Sequence, residues 1–175
     1  MSNDEPVLGT APEGSSGPPG AQDRSLPDRI RRLATLQDYA VLATQGGGQP
    51  YASIVAVAFG DDLAHAAFAT PKATRKYRLL TECDRVALLV DSRSEGQDRL
   101  MEIEAFTATG RAHLLEAGEE RDRWSALLVR RHPRLESFVA SPTSALFRID
   151  IVRFFHVSRF QEVLEWRPAG AGSSR

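Results

Sequence analysis

Thr70, Thr74, Arg75 and Lys76 are residues whose types and spacing could do chemistry together. The pattern puts Thr70 at a strand end and starts a helix at Thr74. Such a start offers unpaired backbone N–H groups and the positive end of the helix dipole. Two hydroxyls, a guanidinium and an ammonium there would hold a phosphate dianion. Cations in a first turn oppose the dipole, at a cost of about 0.3 kcal/mol or somewhat more. Local rules of this kind are broken where function asks for it. The plainer reading is a Thr cap followed by two solvated basic residues, and the residues alone leave both open. The stretch is also compositionally odd: of 22 basic residues 20 are Arg, and the two lysines both fall within Lys72-Ala-Thr-Arg-Lys76.

Other candidates for chemistry are thinner. His65, His113, His132 and His156 show no ligand spacing, and each reads as a packed or surface residue; His156, in the C-terminal element, is the one to test against haem. Cys83 lies between Glu82 and Asp84, which would raise its pKa and leave it unreactive. Gly46-Gly47-Gly48 reads as a hairpin turn, and no Walker, Rossmann or Gly-x-Ser-x-Gly pattern occurs.

Composition narrows the classes. The chain has 175 residues, 42% of them apolar, enough for one ordinary domain with its own core. A net charge of −1 argues against a nucleic-acid partner. A single cysteine excludes an internal disulfide framework and a multi-cysteine metal site. No apolar run approaches the roughly 20 residues of a membrane span, and no secretory signal is read at the N-terminus. The expected location is the cytoplasm, with no membrane association.

The elements that must position the loop follow from periodicity. Residues 1–24 and 168–175 read as disordered tails, rich in Pro, Gly and Ser, around a domain at 25–167. Ser25 is expected to cap a first helix, with Asp28 in the capping-box place. Strands at 39–44, 50–59 and 63–70, joined by short Gly/Asp turns, read as an antiparallel meander. A helix at 74–82 and an apolar strand at 85–90 follow. A long strand at 103–116 has a bulge or bend expected at Gly110. A helix at 118–132, a short helical piece at 135–139 and two strands at 145–151 and 154–160 complete the domain. The fold class is mainly β with helical insertions: a closed antiparallel barrel of six or seven strands.

Three blocks, Pro50-Tyr-Ala-Ser-Ile-Val-Ala-Val57, Phe68 through Leu80, and Arg85-Val-Ala-Leu-Leu-Val90, together resemble the pyridoxamine 5′-phosphate oxidase-like flavoproteins of the FMN-binding split β-barrel fold. The similarity runs from about Tyr39 to Glu116, and Thr74-Arg75-Lys76, four residues after Thr70, is its most specific element. The resemblance implies an FMN site in which Thr74, Arg75 and Lys76 grip the phosphate. Ser53, Ile54 and Val55 would lie along the ring and ribityl chain, partly through backbone groups, with Ala69 and Thr70 at the ring edge or ribityl–phosphate chain. It also implies a homodimer, since the flavin of such proteins sits between subunits. Without it, Ser53-Ile-Val reads as an alternating core strand. Arg93, in the polar loop 91–98, could reach the flavin or a substrate anion across the dimer; the alternative is a solvated connection closed by a salt bridge.

The chain departs from authentic pyridoxamine-phosphate oxidases. Ser53 stands where they carry an Arg, Ala105 near a flavin-bonding Gln, and Leu79 where many members have Asn. Their Arg-x-His substrate element has no counterpart. The expected function is an FMN-dependent oxidoreductase acting on another small substrate or with a nicotinamide electron donor. The alternatives are a flavin or haem binder without turnover, and a deazaflavin (F420)-dependent reductase, whose longer anionic tail would also engage Lys72 and Arg78.

Overall fold

The computed structural model describes residues 25–93, 103–158 and 162–169. The tail expected at 1–24 and most of that at 168–175 lie outside them. Helix α1 (Leu26–Leu36) buries Ile30 and Leu33 against the barrel. The expected capping box does not form: the Ser25 hydroxyl donates to the Asp28 carboxylate at 2.6 Å and takes no backbone N–H.

The described residues contain eight strands, all paired antiparallel: β1 (Tyr39–Gly46), β2 (Gln49–Ala56), β3 (Ala58–Phe59), β4 (His65–Pro71), β5 (Arg85–Asp91), β6 (Ala105–Leu114), β7 (Ser144–Ser158) and β8 (Glu162–Trp166). Three more helices are inserted: α2 (Arg75–Glu82), α3 (Glu119–Arg131) and α4 (Glu136–Ala140). The sheet runs β2-β1-β5-β6-β7-β4-β3, with β8 added to β7. This is the mainly-β split barrel with helical insertions that the sequence leads one to expect.

Three details differ. The meander stops after β2. Gly47 and Gly48, at φ 58° and 80°, make the tight β1–β2 hairpin. The third strand then crosses to the far end of the sheet and pairs with β7, His65 opposite Asp150 through Pro71 opposite Ser144. Val57 interrupts the second strand, its side chain buried and its N–H bonded to the Asp38 carbonyl, so the chain leaves the β1 ladder there. β2 and β4 touch without pairing, so the barrel is split, as the family resemblance implies, where the strand pattern alone suggests closure. Finally, the two strands expected at 145–160 are one 15-residue strand, β7, followed by an unexpected β8. Nothing between Ile151 and Phe154 can turn the chain, so it bends instead. Thr109 pairs with Arg153 and Gly110 with Ile151, leaving Val152 as the extra residue of a bulge. Gly110 is needed for close approach: a Cβ there would sit 2.3 Å from the Asp150 carbonyl oxygen.

Phe68, Phe106, Phe147 and Phe154 fill the barrel, with Phe68 and Phe147 stacked at 5.5 Å. A second apolar cluster lies under α3, around Trp124, Leu128 and Leu146. Alternation along β1 and β2 then sets two faces. Leu42 and Thr44 face inward beside Ser53 and Tyr51, whereas Val41 and Ala43 face outward beside Ile54 and Ala52.

Candidate functional site

Pro71 ends the β4 ladder, and Thr74 starts α2 four residues after Thr70. The Thr74 hydroxyl is the N-cap: its Oγ1 accepts the Tyr77 N–H at 3.3 Å and donates to the Pro71 carbonyl at 2.9 Å. Thr70, only 1% exposed, lies 3.0 Å from it, oxygen to oxygen. With the Thr74 proton on Pro71, the Thr70 hydroxyl is the donor of that pair. The two hydroxyls thus fix the strand-to-helix turn. Arg75 and Lys76 occupy the first two helical positions, where the N–H groups have no acceptor one turn back.

Two cations converge on β2. The Lys76 ammonium donates to the Ile54 carbonyl at 3.3 Å, and the Arg75 guanidinium lies over the Tyr51 ring, 5.2 Å from its centroid. Neither pairs with a carboxylate among the described residues. Partial burial without a counter-charge pushes the Lys76 pKa down. The Ser53 hydroxyl, on the same strand, is buried and has no hydrogen-bond partner among the described residues. Unneutralised positive charge, free N–H donors and an orphaned hydroxyl together suit a polar anionic ligand whose phosphate rests on the helix start.

Ser53, Ile54, Thr70, Thr74, Arg75 and Lys76 therefore share one neighbourhood formed by β2, the end of β4 and the start of α2. The Val55 side chain is committed to the core and is not brought to this neighbourhood. Ala69 is half-buried against the cluster under α3. Arg93 is exposed and bonded to Asp91, Nε to Oδ1 at 2.7 Å and backbone N–H at 3.0 Å. Burial raises the Asp91 pKa, but these bonds outweigh it and leave it lowered. The rest of that loop, 94–98, lies outside the described residues. Tyr51 is the contributor to which sequence reasoning gave no role. Its signal was parity: it shares the inward face of β2 with Ser53, two residues on.

The remaining candidates fall elsewhere. His156 is 0% exposed within β7, neither ring nitrogen hydrogen-bonded among the described residues, paired in register between Phe106 and Leu164. In that position it presents no face to a haem. Cys83 is half-buried beside the Gln45 amide. Leu79 is buried at α2, packed against Gly46. Among the described residues, no cluster of three His, Cys, Asp or Glu could hold a metal, and no helix is long and apolar enough to cross a membrane.

Comparison with known proteins agrees with the fold. The chain superposes on a heme binding protein from Mycobacterium smegmatis with a TM-score of 0.74 at 17% identity, covering 82% of this chain and 58% of that one. Campylobacter jejuni ChuZ gives 0.70 at 10% identity, covering 83% and 60%. An FAD-binding protein from Mesorhizobium loti gives 0.61 at 20% identity, covering 76% and 94%. The chain thus spans about three-fifths of the first and second of these, and at such identities the likeness is one of fold. No curated protein matches the sequence significantly. The model of the pyridoxamine 5′-phosphate oxidase family matches residues 26–158, the whole span from α1 to the end of β7. With the split barrel and the hydroxyl–Arg–Lys helix start in place, the chain belongs to the pyridoxamine 5′-phosphate oxidase family.

Proposed function

We propose that this protein binds FMN between two copies of itself and acts as an oxidoreductase on a small substrate, with a nicotinamide as electron donor. The observation that carries the reading is the pair Arg75 and Lys76: two cations at a helix start, with no carboxylate to neutralise them among the described residues. FMN, when bound, supplies the two-electron chemistry. The chain's own residues bind and orient. Arg75, Lys76 and the first N–H groups of α2 hold the phosphate, and the Ser53 hydroxyl offers a hydrogen bond it does not make within the chain.

A monophosphate suits the site better than the longer tail of F420. Lys72, the extra cation that such a tail would need, lines a different cavity that does not include Thr74, Arg75 or Lys76. A homodimer fits the outward face of β2, β1 and β5, where Ile54, Val41 and Leu89 are in register and Ile54 is 69% exposed. Ser53 in place of an arginine, and Ala105 in place of a glutamine, favour a substrate other than pyridoxamine phosphate.

The test is the absorption spectrum of the purified protein, repeated on the double variant Arg75→Ala/Lys76→Ala. Oxidised-flavin bands that bleach with a nicotinamide donor and return in air are expected. The double variant should stay folded and lose flavin. A Soret band, or a colourless protein that takes up F420, would replace the reading with haem or deazaflavin. Flavin that never bleaches would make the protein a carrier. Undiminished flavin in the double variant would remove the phosphate assignment.

A further inference from the structure

On the other side of the β4–α2 loop lies a cavity of about 310 Å³. Its positive charge comes from Lys72 and from Arg121 of α3. Neither side chain pairs with a carboxylate among the described residues, and Arg121 spends one donor on the Leu115 carbonyl at 3.1 Å. Glu116, also unpaired among the described residues, lies on the same lining. Ser144, 3% exposed, lines the cavity too, and its hydroxyl is buried without a hydrogen-bond partner among the described residues. A buried hydroxyl left unpaired costs free energy that a bound acceptor would relieve. Leu114, Leu115 and Pro142 supply an apolar wall.

Two cations and one carboxylate leave a single positive charge, which matches a monoanion; a phosphate dianion would meet Glu116 with a charge to spare. We propose that this cavity binds a small carboxylic acid with a compact apolar body. Lys72, Arg121 and Ser144 take the carboxylate, and the Leu–Pro wall takes the body. The site is separate from the phosphate loop but mechanically adjacent to it. Ser144 pairs with Pro71 across the β7–β4 ladder, and Tyr77, which lines the cavity, gives its N–H to Thr74. The proposal does not depend on FMN being the cofactor.

Ligand-observed NMR on the full-length protein, with sodium benzoate as probe and inorganic phosphate as competitor, tests it. Benzoate should saturate, at a dissociation constant on the order of millimolar or tighter. Lys72→Ala, at an exposed position that leaves the thermal midpoint unchanged, should weaken it about tenfold or more, and Lys72→Arg should restore it. The Arg75→Ala/Lys76→Ala variant should bind benzoate like the parent. The proposal is overturned if benzoate does not saturate, if Lys72→Ala leaves its affinity intact, if phosphate binds more tightly, or if the double variant abolishes benzoate binding.

Discussion

Lys76 and Ile54, 22 positions apart in the chain, are joined by a hydrogen bond from the ammonium to the Ile54 carbonyl at 3.3 Å. The bond ties the first turn of α2 to β2, across the gap where the barrel is split. It also leaves the Ile54 side chain pointing the other way, onto the outward face of the sheet. One residue therefore joins the proposed anion site to the exposed face where a second copy would pack. A change at either end should be felt at the other.

Lys76 should make anion binding pH-dependent earlier than a solvated lysine would. Burial without a paired carboxylate lowers its pKa, so the charged form is less favoured than on a solvated lysine. A bound phosphate favours that charged form and raises the pKa again. Affinity is therefore full at pH below the lowered value and falls as pH rises through it, by up to about tenfold per unit. Flavin retention measured by ultrafiltration between about pH 7 and pH 10 should show a loss that begins below the usual lysine range. Lys76→Arg should keep the flavin across that whole range. A wild-type profile as flat as that of Lys76→Arg would show that the ammonium carries no part of the phosphate affinity.

Ile54 gives a second prediction. It is aligned with Val41 and Leu89 on three adjacent strands, with Ala52, Ala43 and Ala87 in the next row. Placing a charge at the centre of such a contact costs on the order of several kcal/mol when it is buried unpaired. Ile54→Arg should turn a dimer into a folded monomer by light scattering, and the monomer should hold flavin less well. A variant that stays dimeric would mean that two copies meet elsewhere.

The β4–α2 loop is readily legible in the chain because its signals are local. Thr70, Thr74, Arg75 and Lys76 lie within seven consecutive residues, and helix capping follows from neighbours in sequence. Gly47-Gly48 and Gly110 were legible for the same reason: each answers to backbone geometry at one place. What stayed hidden is non-local. Whether the third strand continues the meander or crosses to β7 depends on which edge wins the pairing, and no residue in 63–70 encodes that. The sequence suggests two strands where β7 runs unbroken, because a bulge residue such as Val152 looks like any other strand residue. Tyr51 was visible as an aromatic, but only the fold brings it under Arg75. The unpaired Ser53 hydroxyl is a property of surroundings rather than of spacing.

His156 supplies the last prediction, about stability in acid. Its ring is fully buried on β7, with neither nitrogen bonded, and is faced by charges of both signs. From α1 comes Arg29, 3.0 Å from Glu104, with Arg32 at 3.7 Å from the same carboxylate. Glu104 itself approaches the ring at 3.9 Å, and Glu162 of β8 accepts from Ser158 nearby in sequence at 3.3 Å. Burial, then repulsion from Arg29, lower the pKa, and attraction to Glu104 and Glu162 only partly opposes them. The folded state therefore holds a neutral ring at a pH where the unfolded chain, near the ordinary value of 6.5, is already taking up a proton. Between the lowered value and 6.5 the unfolded state binds more protons, so stability rises with pH there and is lost on acidification through it, by up to about 1.4 kcal/mol per unit. Urea midpoints taken at about pH 7.5 and about pH 5.5 should differ for the wild type. His156→Phe keeps an aromatic ring but cannot titrate, so its two midpoints should lie closer together. Equal losses in the two proteins would assign the acid sensitivity to other groups and free His156 of the role.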